Sequence, residues 1–223
     1  MMDFAKLNAL TIPEGAVSRI LAGDMVLWSK NRKLLPEGYT LLDYIDSDGN
    51  AYINTEFIPD SNSKVVMDCQ HIGLAGTSAG NTFFGARTSA SAKAFSVYFF
   101  PSAKGYRYMY GNGYTEKDAS RITDRITIIA DKNVATIGDK ITITRPEQTF
   151  ACEYPLFLCG MNNAGSVTLR TKLRMYSCKI YDGTGDLVRD YIPCVNAGGE
   201  VGMYDRVNGV FYGNAGTGAF TYG

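Results

Sequence analysis

The chain has 223 residues, 45% of them apolar, enough to bury one large core and too many for global disorder. Its 22 Lys+Arg balance 22 Asp+Glu, and a chain with no basic surplus is a poor match for nucleic-acid phosphates. The near-zero charge also gives little self-repulsion, which favours self-association.

The first 32 residues read as a small β unit. Apolar runs at 7–12, 16–21 and 25–30 are separated by Pro13-Glu14-Gly15 and Gly23-Asp24, residues suited to tight turns. So small a meander cannot bury enough surface to stand alone. It is expected to serve as an attachment or oligomerisation element, with Trp28, the one tryptophan, as its anchor. The start of the chain lacks a continuous apolar signal core and breaks at Pro13, and no run reaches the ~18 apolar residues of a membrane span. Synthesis in the cytoplasm without a signal peptide is the expectation.

Residues 33–223 read as one β-sandwich. Asp46 to Asn50 is taken as a turn followed by a return strand over 51–57. Short strands are then expected near 64–70, 81–87, 94–100, 106–111, 125–131, 133–138, 140–145, 155–160, 171–182, 187–193, 200–205 and 210–213. Ile126 and Ile128 alternate with Arg125 and Thr127, and Ile141 and Ile143 with Thr142 and Thr144, the period-two mark of a half-buried strand. Asn208-Gly209 is read as a hairpin turn before 210–213. No helical period is sustained, so the class is all-β.

Little in the chain suggests catalysis. The one histidine, His71, is read as excluding a Cys/His zinc cluster and His-based nucleophilic sites. Paired carboxylates at strand spacing, as a glycosidase needs, are missing, and Asp46/Asp48 and Asp182/Asp186 are read as turn residues. Asp46, Asp48 and Asn50 also look like half a calcium loop, so calcium is the one cofactor left open. Cys69, Cys152, Cys159, Cys178 and Cys194 are odd in number, lack C-x-x-C spacing and read as buried free thiols. The glycine-rich end, 213–223, lacks the Gly-Lys-Ser/Thr of a phosphate loop. Tyrosines are densest between 98 and 114; their rings suit either a half-buried sheet face or a sugar platform. For a bound glycan or partner, Tyr106, Tyr108, Tyr110 and Tyr114 are the candidate contacts, with Asn112 as polar donor and acceptor.

Two long stretches carry a resemblance. LPEGYTLLDYIDSDGNAYINTEF (35–57) and LRMYSCKIYDGTGDLVRDYIPCVNAGGEVGMYDRVNGVFYGNAGTGAF (173–220) are similar to the opening and ending of a group of jelly-roll proteins from phages and prophages of gut bacteria. Together they cover about a third of the chain. The resemblance implies a concanavalin A/laminin-G-like jelly roll used as a virion component: a tail-associated adhesin, a fibre or a capsid decoration. It implies other virion proteins as partners through the N-terminal element, host surface glycan as a further one, and a homo-oligomer, a trimer above others. It supplies no catalytic residue. Within its closing motif Arg189 and Asp190 are expected in a framework ion-pair network. A bacterial surface lectin and a glycan-degrading enzyme are the alternatives.

Overall fold

The computed structural model describes residues 19–22, 25–29, 34–75, 79–89 and 92–223. The chain divides into two compact units, Met1–Pro36 and Glu37–Gly223. In the first, β1 (Arg19–Ala22) and β2 (Met25–Ser29) form an antiparallel pair with Ile20 opposite Trp28. The strand expected over 7–12 lies outside the described residues, as does the Trp28 side chain to which attachment was assigned.

The second unit runs in strands. It opens with β3 (Thr40–Leu41), β4 (Ile45–Ser47), β5 (Ile53–Asn54) and β6 (Lys64–Gly73). Then come β7 (Asn81–Arg87), β8 (Ala94–Phe100), β9 (Gly105–Gly111) and β10 (Tyr114–Asp118). The meander β11 (Arg125–Asp131), β12 (Val134–Ile137) and β13 (Ile141–Thr144) follows. Three short strands, β14 (Phe157–Leu158), β15 (Met161–Asn163) and β16 (Ser166–Thr168), precede the long β17 (Lys172–Tyr181) and β18 (Leu187–Val195). The chain ends through β19 (Val201–Asp205), β20 (Val210–Tyr212) and β21 (Phe220–Tyr222).

These strands build two sheets. The smaller is ordered β10-β9-β8-β7-β14-β5 with β15 and β16 beside β7; the larger is ordered β13-β12-β11-β6-β17-β18-β19-β20 with β3, β4 and β21 on its flank. The architecture is the all-β, lectin-like sandwich the sequence predicts. Strand β6 shows why: Val65, Met67, Cys69 and His71 are buried while Val66, Asp68 and Gln70 are half-exposed, a period of two. From the facing sheet Phe84, Phe95, Val97, Phe99, Tyr106 and Tyr108 join the same core. Each large ring buried here contributes about 1.5–3 kcal/mol.

Three sequence expectations change. Asp46 to Asn50 does not join two paired strands: β4 belongs to the larger sheet and β5 to the smaller, so the chain changes sheets there. Asp46 itself is a strand residue whose carboxylate takes the Nε and Nη2 hydrogens of Arg174, each at 2.8 Å. Asp48 keeps the turn role, accepting from the backbone N–H groups of Asn50, Ala51 and Ala219. Finally, Asn208-Gly209 is not a two-residue turn. Asp205 pairs with Val210, so the loop spans four residues, and Asn208 Nδ2 donates to Asp205 Oδ2 at 2.7 Å.

The closing motif builds its expected framework. Asp205, fully buried, accepts from the Asp190 and Val207 amides at 2.9 and 3.0 Å and lies 3.6 Å from Arg189 Nε. Arg206 Nη2 reaches Asp190 Oδ2 at 2.5 Å. The opening and closing motifs also meet: β4 pairs with both β17 and β21, and β3 pairs with β18.

Candidate functional site

The nominated tyrosines divide sharply. Tyr106 and Tyr108 are fully buried and Tyr110 is 3% exposed. All three stand on the inner face of β9, where Tyr106 tilts against Phe99 at 5.1 Å and Tyr110 meets Phe150 edge-on at 4.9 Å. Their hydroxyls are spent on the interior: Tyr106 accepts from the Ile122 amide, and Tyr110 donates to the Ser61 carbonyl. They are core residues, and their assignment as a sugar platform is withdrawn. Asn112 and Tyr114 lie at the exposed β9–β10 hairpin. Asn112 is held from behind, its amide donating to Gln148 Oε1 at 2.8 Å and its carbonyl accepting from Arg145 at 2.6 Å.

Tyr114 leads to the other face of the smaller sheet. Cross-strand register places Tyr98, Arg107 and Glu116 in one row, and Ser96, Met109 and Tyr114 in the next. Ala94, Tyr98, Met109 and Met161 form a second apolar cluster there, with Phe100 and Leu169 packed against it. This apolar floor holds Arg107 between two rings, its guanidinium 3.9 Å from the Phe100 centroid and 4.4 Å from that of Tyr114. Glu116 pairs with the same guanidinium. Burial works against that charge, but Glu116 and the Tyr98 hydroxyl outweigh it and raise the Arg107 pKa. Tyr114 therefore presents a ring that is 47% exposed yet held from behind.

Arg87 completes the face. Its Nε donates to Asn163 Oδ1 at 2.8 Å, and among the described residues it has no carboxylate partner. Burial lowers its pKa, opposed only by the Tyr98 hydroxyl. For Tyr98 burial raises the phenol's pKa, while Arg107 and Arg87 pull it back. One hydroxyl thus lies within electrostatic reach of both guanidiniums.

The sequence gives Arg87 no special mark, because its partner is brought in by an irregular strand. β14 runs antiparallel to β7, and β15 then runs parallel to the same residues, with Phe157 and Met161 both registered on Gly85. The reversal passes through Cys159, whose φ of 66° is left-handed and costs about 1–3 kcal/mol in a non-glycine residue. Gly85 allows the approach: a Cβ there would lie 2.7 Å from Met161 Sδ. The parallel register sets Asn163 beside Arg87.

Two clefts lie elsewhere, and their polar groups are largely engaged within the protein. A cleft of about 440 Å³ is lined by Tyr110, Lys132, Asn133, Glu147 and Gln148, among others. Its amides are already engaged, Asn133 with the Arg145 carbonyl and Gln148 with the Tyr110 carbonyl. On the larger sheet a cleft of about 380 Å³ is lined by Asp43, Tyr44, Asp68, Arg125 and Tyr176, among others. There Arg125 lies 3.7 Å over Tyr176 and is neutralised by Asp68.

His71 is fully buried between Phe83 and Phe99, with ring centroids 5.4 and 5.9 Å away. One histidine would suffice for a nucleophilic triad, so its burial is a firmer argument than its count. No group of three or more His, Cys, Asp or Glu able to hold a metal ion occurs among the described residues. Nor is any helix there long and apolar enough to cross a membrane.

No protein-family model and no curated protein matches the chain. Among solved structures it is similar to a point mutant of the NanB sialidase from Streptococcus pneumoniae, at 14% identity and a TM-score of 0.39, over 64% of this chain and 26% of that one. It is also similar to the Ruminococcus gnavus IT-sialidase CBM40, at 12% identity and a TM-score of 0.41, over 70% of this chain and 94% of that one. The chain spans about a quarter of the sialidase and nearly all of the CBM40 structure.

Proposed function

We propose that the protein is a non-catalytic glycan-binding module whose sugar lies on the outer face of the smaller sheet. The observation that carries this is Tyr114, an exposed ring stacked on Arg107 and so ordered before any ligand arrives. Sugar C–H groups pack on such a ring, and one already held in place loses little entropy on binding. The only carboxylate in the Tyr98 row is Glu116, and it is committed to Arg107. Among the described residues that leaves Asp118, beside Glu116 on β10, without a second free carboxylate to form an acid–base pair.

The terminal motifs support a place for this module on a phage particle, as an adhesin, fibre or decoration, with trimeric assembly. The N-terminal unit is then its attachment to other virion proteins. Binding to a glycan array by the intact chain, lost in Tyr114→Ala with the melting curve unchanged, is the expected result. Sugar release from host polysaccharide that disappears on substitution of a single Asp or Glu would overturn the non-catalytic reading. Its absence from purified particles would overturn the virion reading.

A further inference from the structure

We propose that the sugar bound on this face is an acidic one, and that Arg87 takes its carboxylate. The inference rests on the glycan reading above and adds the ligand's charge.

Two guanidiniums, Arg87 and Arg107, belong to the outer face of the smaller sheet; Glu116 pairs with Arg107, and Arg87 is held by Asn163 alone among the described residues. Arg87 is therefore the guanidinium of this face that no carboxylate of the described residues neutralises. An unpaired guanidinium in partly buried surroundings is a costly arrangement for folding alone, and an arriving anion offsets the cost.

The geometry selects the kind of anion. Nε of Arg87 is committed to Asn163, which fixes the guanidinium plane. Its two terminal nitrogens carry no hydrogen bond to any described residue. They present a planar pair of donors, which matches the two oxygens of a carboxylate. The apolar floor beside it, with Tyr98, Met109 and Leu169, lowers the local dielectric and strengthens such a bond. A neutral sugar could use the Tyr114 ring but would leave Arg87 unanswered.

The test is calorimetric titration of the intact protein with matched pairs: oligogalacturonate against its methyl ester, and sialyllactose against lactose. A sulfated oligosaccharide of similar size forms a third arm. The acid of at least one pair is expected to bind roughly tenfold or more tightly than its neutral mate, the scale of a charge-assisted hydrogen bond. Raising the salt should narrow the gap. In Arg87→Gln the gap should close while the neutral mate binds as before; Arg87→Lys, which keeps charge without the planar fork, should recover part of it. Equal binding of acid and neutral mate would overturn the acidic-sugar inference and leave the glycan reading standing. A preference for the sulfated arm over both acids would overturn the carboxylate assignment. Binding of none of these sugars, with no hit on the array, would overturn both readings.

Discussion

Nε of Arg87 donates to Oδ1 of Asn163 at 2.8 Å, joining the last residue of β7 to the last residue of β15 across 76 positions of sequence. The contact depends on the close passage of Met161 over Gly85. Gly85→Val would press a branched side chain against Met161 Sδ and Ser96 Cβ, both 2.7 Å from a Cβ at that position. Overpacking of this kind costs about 1–3 kcal/mol. The variant should lose that much stability in urea titration, and glycan binding should weaken even though Gly85 offers no side chain to a ligand.

His71 makes the fold acid-sensitive. Burial, with Arg121 adding to it, lowers its pKa from 6.5 to about 4. The unfolded chain therefore takes up a proton near pH 6.5 that the folded chain refuses until about pH 4. Stability contributed by the neutral ring is full above the unfolded pKa and is lost as pH falls toward the folded one, about 3 kcal/mol across the window. His71→Leu should flatten the stability profile between about pH 6.5 and 5, where carboxylates have scarcely begun to titrate. An unchanged slope would refute the assignment.

The five cysteines are free and buried. Burial pushes Cys152 up to about 12 and Cys194 up to about 11, and raises Cys69, Cys159 and Cys178 as well. Thiolate is scarce in the native state, so an aromatic disulfide reagent at mildly alkaline pH should label none of them until denaturant is added. Rapid labelling of the native protein would contradict this.

Tyrosine substitutions should separate core from surface. Tyr108→Ala removes a fully buried ring and should cost about 3–5 kcal/mol. Tyr114→Ala should change stability by no more than about 0.5 kcal/mol. Chemical denaturation of the two variants reads both numbers, and similar values would argue against the division of the β9–β10 hairpin described above.

Asp46 and Arg174 form a two-pronged pair, with the guanidinium 3.6 Å over the Tyr44 ring. Partial burial and paired hydrogen bonds place it above an ordinary surface ion pair. Asp46→Asn should lower stability by about 1–2 kcal/mol, measured as a shift in denaturation midpoint. A loss unchanged in Asp46→Asn/Arg174→Met relative to Asp46→Asn alone would show that Arg174 acts only through this pair.

The sandwich was readable where one periodicity ruled. Val65, Met67 and Cys69 alternate with polar or exposed positions, and the β11–β13 meander repeats the pattern with Ile and Thr. The direction of the tyrosines was not readable. Tyr106, Tyr108 and Tyr110 share a parity, but the opposite parity mixes Arg107 with Met109, which is also fully buried, so the strand shows no clean alternation to mark the outside. β15 is three residues long and parallel to β7, too short for any period to appear. Arg87 and Asn163 consequently looked like ordinary polar residues. Asn112 and Tyr114 were nominated with the buried tyrosines, on ring density alone, and only the structure separates the exposed pair from the core.

The meeting of the opening and closing motifs governs the order in which the sandwich can assemble. Among the described residues strand β4 finds its sheet partners only in β17 and β21, and the Asp46–Arg174 pair spans 128 positions. While the chain is being synthesised, the β11–β13 meander can form early from local contacts, but residues 45–47 must wait with open edges until the last strands leave the ribosome. Non-local pairing of this kind is slow, and exposed edges invite mispairing between chains. A nascent chain stalled before β17 should therefore be held by chaperones and cleaved readily by protease, and both liabilities should vanish together once β21 is released.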